Sequence, residues 1–373
     1  MAHSYTPGLR VAEYAVIARE RRLPLKGEVL VKVGDRLSAE TIVAKTELPG
    51  AVHPVNAVNI LNISPQELEE CLAIKMGDAV KREQVVAESK SFFGLFKSQL
   101  RAPVDGILES FSNITGQMIF REAPIPVTVD AYLDGIVTQV FPEEGIEIQS
   151  RGTFIQGIFG VGGETYGTVK MACSSPDEIL DESRIPSDCG GNILIGGSLL
   201  TIEAIDKAKR LGAKAIVVGG FSSQDLRRLL GYDLGVAITG SETIGITLIL
   251  TEGFGQIAMA RRTFDLLTKN EGKKASCSGA TQIRAGVIRP EIIIAQEDVA
   301  APAEAEREPR GLEVGSIVRV IREPYFGKFG RVTALPAELA MLETEAKVRV
   351  LEVEFDDGSR ALLPRANVEM IEE

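Results

Sequence analysis

One short pattern occurs twice near the start of the chain. Val31-Lys-Val-Gly-Asp-Arg-Leu leads to Ile42-Val43-Ala44, and Ile74-Lys-Met-Gly-Asp-Ala-Val leads to Val85-Val86-Ala87. The interval from Gly34 to Val43 equals that from Gly77 to Val86. Each copy reads as strand, Gly-Asp turn, short polar segment and strand. The turn has physical requirements: glycine tolerates positive φ, and an aspartate side chain accepts from nearby amides. Ala102-Pro-Val-Asp-Gly-Ile-Leu follows, with Pro103 and Gly106 bracketing another tight turn. Strand-and-turn spacing continues through residues 125–129, 135–140 and 146–148. Residues 1–150 are therefore expected to form a β-rich region.

Lys-x-Gly-Asp-x-Val, then Val-Ala-Glu, then Ala-Pro-Val-Asp-Gly resembles the barrel-sandwich hybrid. That fold occurs in biotin- and lipoyl-carrier domains, in electron-transport subunits of the Rnf C type and in large RNA polymerase subunits. The resemblance implies a fold more than an activity. Carrier domains place a modified lysine at a set distance before the Ala-Pro turn, within Glu-Ala-Met-Lys. Here Lys90 lies twelve residues before Ala102 and Lys97 five before it, and Glu88-Ser-Lys-Ser replaces that pattern. A Phe-rich stretch, Phe92-Phe-Gly-Leu-Phe96, occupies the hairpin. It is expected in a core or at a covered strand edge, with an exposed docking patch as the alternative. Pro49-Gly-Ala-Val-His-Pro54 resembles an Rnf C glycine–histidine–proline stretch, but the cluster cysteines are missing. No cofactor is expected.

The middle of the chain changes character. Residues 152–255 hold 19 of the 37 glycines. Residues 192–195 form an apolar strand ending in Gly196-Gly197-Ser198. Ala204, Ile205, Ala208 and Leu211 then mark one helical face, stopped by Gly212. Residues 215–218 form the next strand, ending in Gly219-Gly220. Ser222-x-x-Asp225 starts a second helix that Gly231 stops. Further strands are expected over 236–238 and 246–250, a helix over 258–269, and closing strands at 288 and 292–294. This alternation predicts an open, Gly-rich α/β domain over residues 151–295 with at least one parallel pair.

Residues 296–311 lack an apolar period and read as a flexible acidic linker. Residues 312–373 are compact and β-rich, with the Asp357-Gly358 turn before a hairpin, and suggest a small β-barrel. Gly315, Val318, Val320, Phe326, Gly327, Gly330 and Val332 resemble the KOW motif of NusG-type elongation factors and some ribosomal proteins. The expected architecture is thus multidomain α+β: a barrel-sandwich-like region, an α/β domain and a small C-terminal barrel. The combination resembles an uncharacterised bacterial family that joins these three parts.

Charge and chemistry narrow the function classes. The formal net charge is -11, which opposes coating of nucleic acid or anionic membrane by bulk charge. No apolar run reaches the length of a membrane helix, and residues 1–10 lack the apolar core of a signal peptide. A soluble cytoplasmic protein with no membrane partner is expected. Cys71, Cys173, Cys189 and Cys277 have no C-x-x-C spacing, and the histidines are His3 and His53, so no metal site is expected. Beyond residue 53 no histidine is available to complete a nucleophile–histidine pair.

Two candidate sites remain. The first lies in the central domain. Gly196, Gly197, Gly219 and Gly220 fall where open α/β sheets offer backbone amides to a ligand, or else simply make tight turns. Glu242 or Glu252 supplies a base there, and Arg284 binds an anion; the alternative is structural Arg–Glu pairing. The second is the C-terminal stretch Arg319, Arg322, Tyr325, Phe326, Lys328, Phe329 and Arg331, where basic and aromatic residues interleave. Such a stretch suits RNA or a ribonucleoprotein. Residues 312–373 nevertheless hold eight basic and twelve acidic side chains, which favours a protein partner over nucleic acid; structural capping of the rest of the chain is the further alternative. The expected function is a non-enzymatic adaptor, attached to transcription or translation machinery through this last module. The alternative is a small-molecule or anion-binding protein, or an enzyme, centred on the α/β domain.

Overall fold

The structure is a computed structural model. It describes residues 9–91, 96–231, 242, 244–281, 288–296, 312–320, 325, 328–336, 339–341, 347–355 and 357–371. The chain is strand-rich, with few and short helices. Among the described residues, no helix is long and apolar enough to cross a membrane.

The two Gly-Asp copies fold alike. Gly34 and Gly77 have φ of 92° and 90°. Asp35 accepts from the Lys32 amide at 3.0 Å, and Asp78 from the Lys75 amide at 2.8 Å. The Gly34 amide donates to the Val137 carbonyl and the Gly77 amide to the Leu108 carbonyl, at 2.9 and 2.8 Å. Each turn thus docks on a second segment, and those segments match too. Ala131-Tyr-Leu-Asp-Gly-Ile-Val repeats Ala102-Pro-Val-Asp-Gly-Ile-Leu. Asp134 accepts from the Ala39 amide and Asp105 from the Arg82 amide, both at 2.7 Å.

The copies are nested rather than consecutive. Val85–Ser91 pairs antiparallel with Phe96–Arg101, from Val85 opposite Arg101 to Ser91 opposite Phe96. Ile42–Leu48 pairs in the same way with Ile125–Asp130, from Ile42 opposite Asp130 to Leu48 opposite Ile125. The first hairpin spans four residues at its tip. The second holds the whole of residues 49–124 there. One unit is therefore inserted at the hairpin tip of the other, and each has its own apolar core.

Gly145–Gln156 joins this region to the centre. Val11–Arg22 runs antiparallel along it from Val11 opposite Ile155 to Arg22 opposite Gly145. On its other edge it meets Gly135–Phe141 first and Glu291–Ala295 further on. Residue 150 falls inside this continuous strand. A 13-stranded sheet results. Its parallel block is Glu164–Met171, Asn192–Ile195, Ala215–Phe221 and Thr247–Phe254, in that spatial order.

Alternation puts Leu194, Ile216, Val218 and Leu250 on one face of this block, under the helices Ile202–Arg210 and Ser223–Leu230. Ile193, Ile195, Val217 and Ile249 lie on the other face, under the helix Arg261–Lys269. The two helices of the first face begin at Thr201 and Ser222, whose side chains accept amides of their first turns. The third helix was expected from residue 258 and starts at Arg261. Residues 255–260 instead cross the strand ends, where the Ile257 amide donates to the Ser198 carbonyl. The strand expected over 236–238 lies outside the described residues.

Residues 312–371 contribute a six-stranded curled sheet. Val318, Val320, Val332, Leu351, Val353 and Phe355 fill its core.

Candidate functional site

In the strand Ile317–Val320, Val318 and Val320 enter the module's own core, which turns Ile317 and Arg319 to the opposite face. On the neighbouring strand Phe329–Ala334, Val332 points inward while Phe329 and Arg331 share the face of Arg319. Gly330 is required between them, since a Cβ there would stand 2.3 Å from Val353 Cγ1 and 2.7 Å from the Glu354 carbonyl oxygen.

The basic–aromatic stretch divides into two groups. Arg319 and Phe329 face the central sheet: Phe329 and Ile317 pack on the core containing Ile155, Ile249 and Phe264. Arg319 and Glu252 form an ion pair, with side chains only 4% and 5% exposed. Arg319 Nη1 also lies 3.5 Å from the Thr251 carbonyl oxygen. The other carboxylate oxygen of Glu252 accepts from the Ala260 amide at 3.0 Å. Both Glu252 and Arg319 are thus engaged in joining the C-terminal module to the centre. Removing either partner of such a pair strands a buried charge, at about 3–5 kcal/mol.

Tyr325, Lys328 and Arg331 form the second group. The Tyr325 ring stacks on Phe355 with centroids 5.1 Å apart. Lys328 Nζ lies 5.3 Å from the Phe355 centroid and 5.9 Å from that of Tyr325, in cation–π range. It also pairs with Asp357 at 3.2 Å. Asp357 is held at a pKa of about 2, first by the Ser359 hydroxyl, then by the Ser359 amide and Lys328. Arg331 donates to the Gly315 carbonyl at 2.9 Å and stays exposed. An open groove of about 360 Å³ runs past Phe329, Arg331, Thr333, Glu354 and Phe355. Phe329 and Phe355 line it together with one cation, Arg331, and one carboxylate, Glu354. Arg322 and Phe326 lie outside the described residues.

The structure places the glycine pairs of the central sheet in backbone contact. A Cβ on Gly219 would stand 2.2 Å from the Ile257 carbonyl oxygen, and one on Gly220 2.0 Å from that of Gly255. On Gly197 it would stand 2.3 Å from the Glu178 carbonyl oxygen, and on Gly196 2.9 Å from Leu180 Cδ2. The Gly196 amide donates to the Val217 carbonyl and the Gly219 amide to the Gly197 carbonyl, both at 2.8 Å. These two donors are spent inside the fold. Glu242 is half-buried, and Arg284 lies outside the described residues.

Burial pushes the Cys173 thiol up to about 11 and raises Cys277 further, so both are protonated near neutral pH. Among the described residues, no group of three or more His, Cys, Asp or Glu side chains is placed to hold a metal ion.

What sequence reading missed is the contact between Glu252 and Arg319. Each was singled out, in separate candidate sites, and only the tertiary fold brings them together. No family model matches the chain, and no curated protein matches it in sequence.

Proposed function

We propose that the protein is a non-enzymatic adaptor whose C-terminal module holds a protein partner in the groove beside Tyr325, Lys328, Arg331 and Phe355. One observation carries this reading: a cation seated over a stacked aromatic pair, one ring of which, Phe355, lines an open groove. Aromatic and guanidinium groups of this kind are the usual anchors of protein interfaces. Asp357, Glu354 and Glu352 stand close by and would repel a phosphate backbone, which favours protein over RNA. The likeness of the segment to KOW modules points to transcription or translation machinery as the source of the partner. The nested β units and the shared sheet supply the mount.

The test is quantitative capture from the native source with the full chain and its Lys328→Glu, Arg331→Glu double variant. The expected result is a defined set of proteins reduced more than about tenfold by the double variant, a loss of more than about 1.4 kcal/mol. Retention of RNA in place of protein would replace the proposed partner class. Equal capture by both chains would remove the groove from the account. Truncation before residue 312 is a poorer test. It uncovers Glu252 together with the apolar core on which Ile317 and Phe329 pack, and would create a sticky surface.

A further inference from the structure

The inserted unit, residues 49–124, is tied to the rest of the chain at one place. Its apolar core draws every member from residues 55–120. Among the described residues, its hydrogen bonds and ion pairs also close inside it, from His53 with Glu122 to Arg121 with Glu109. The outer unit differs at a matching position. Asp134 takes Lys274 of the central sheet at 2.8 Å besides the Ala39 amide, whereas the bond of its counterpart Asp105 goes to the Arg82 amide within the unit. The outer unit is also paired to the strand Gly145–Gln156, which continues into the central sheet.

Two short crossings form the neck, residues 49–51 outward and 122–124 back. The outer ladder ends at Leu48 opposite Ile125, and the inner one starts at Val52 opposite Arg121. A proline stands on each crossing, so neither Pro49 nor Pro124 has an amide to carry a ladder through. The same prolines bias Leu48 and Ala123 to extended backbone, which holds the unit off its base. The crossings meet at Gly50, where a Cβ would stand 2.1 Å from the Glu122 carbonyl oxygen. Beside it the Glu122 amide donates to the Ala51 carbonyl at 3.0 Å, and Arg121 Nη1 to the Gly50 carbonyl at 3.1 Å.

We propose that the inserted unit is a separately folded arm that pivots on this neck against the outer unit and the central sheet. Among the described residues, no core cluster and no ion pair spans the neck, so turning there uncovers no core and strands no charge. The bonds between the crossings lie at Gly50 and beyond it. Bending therefore falls between Gly50 and the Leu48–Ile125 pair, where the prolines leave the ladder open. Two crossings held side by side allow bending and twisting but not free tumbling, which makes the neck a hinge. The proposal does not depend on the groove beside Tyr325.

The experiment is double electron–electron resonance on the full chain. Cys71 lies in the arm and is partly exposed, while Cys173, Cys189 and Cys277 are buried, so a nitroxide reagent takes Cys71. The second label goes on Arg228→Cys, on a central helix, where the native side chain is 73% exposed. A reference chain carries Lys26→Cys, Arg228→Cys and Cys71→Ser, and reports the outer unit against the same helix. The distance distribution from Cys71 should be at least about twice as wide as that from position 26. Equal widths would overturn the proposal. If a substituted chain does not fold, residual dipolar couplings of the wild type decide, since they average over the microseconds to milliseconds of hinge motion. Amides of residues 52–121 should then report weaker alignment than those of residues 145–156. A single alignment fitting both sets would overturn the arm.

Discussion

Four glycines show how single residues enforce the nested units. Gly34 and Gly77 sit at positive φ with open space around an added Cβ. Replacing either by Ala costs only the left-handed backbone penalty, about 1–2 kcal/mol. Gly106 and Gly135 differ: a Cβ on Gly106 would stand 2.0 Å from the Arg121 carbonyl oxygen, and one on Gly135 2.3 Å from that of Gln149. The backbone must move to admit it, at about 3 kcal/mol or more. Urea unfolding of the four Ala variants should therefore sort them into a mild pair and a severe pair, with one member from each unit. A severe Gly34→Ala beside a mild Gly77→Ala would contradict the equivalence. At this scale the sequence was informative, since Gly-Asp at a fixed interval is visible by eye. Glu252 and Arg319 were equally visible as residues, but nothing local shows that positions 67 residues apart share one buried contact.

Among elements, the join between the N-terminal unit and the central sheet is electrostatic as well as hydrogen-bonded. Lys274, on a central strand, reaches Asp134 at 2.8 Å and Glu40 at 2.7 Å. Burial alone would lower the Lys274 pKa, but the two carboxylates together raise it above 10.5. Glu40 is lowered below 4.5, chiefly by its hydrogen bond from Lys274. A depressed carboxylate stabilises the fold above its unfolded pKa, and that contribution fades as pH falls through the folded value. A raised lysine stabilises below its unfolded pKa, and its contribution fades as pH climbs through the folded value. Lys274→Met should thus be less stable than wild type between pH 4.5 and 10.5, with the gap shrinking on both sides. Unfolding midpoints across pH measure this, and a gap constant with pH would contradict the pairing.

Elements were partly legible in the sequence. The central helices and the strands Asn192–Ile195, Ala215–Phe221 and Thr247–Phe254 followed from apolar period and glycine stops, whereas Glu164–Met171 and Lys274–Ser278 were not expected. The match of Ala131-Tyr-Leu-Asp-Gly to Ala102-Pro-Val-Asp-Gly did not follow, because the four segments run first, second, second, first, and a search for consecutive repeats passes over it. The late start of Arg261–Lys269 was also hidden, since the Ile257 amide is claimed by the distant Ser198 carbonyl and the Ala260 amide by the Glu252 carboxylate.

The whole molecule is less modular than its composition suggests. Gly145–Gln156 carries hydrogen bonds of both the N-terminal unit and the central sheet, so pairing is continuous from one to the other. Its burial alternates from Ile146 to Arg151 and is continuous over residues 152–155, where central strands pack on it. The C-terminal sheet, reached through an acidic segment that reads as a linker, is docked through a buried ion pair and two apolar side chains. Docking leaves Arg331 exposed and Lys328 about half exposed on this module.

Lys328 makes that surface directly measurable, because its side chain is about half exposed and carries a primary amine. Lys45, on the N-terminal unit, is similarly exposed and serves as an internal reference. Amine-reactive cross-linking in cells of the native source, read by mass spectrometry, should join Lys328 to another polypeptide far more often than Lys45. Cross-links from Lys45 to other proteins, with Lys328 joined only to its own chain, would contradict the account.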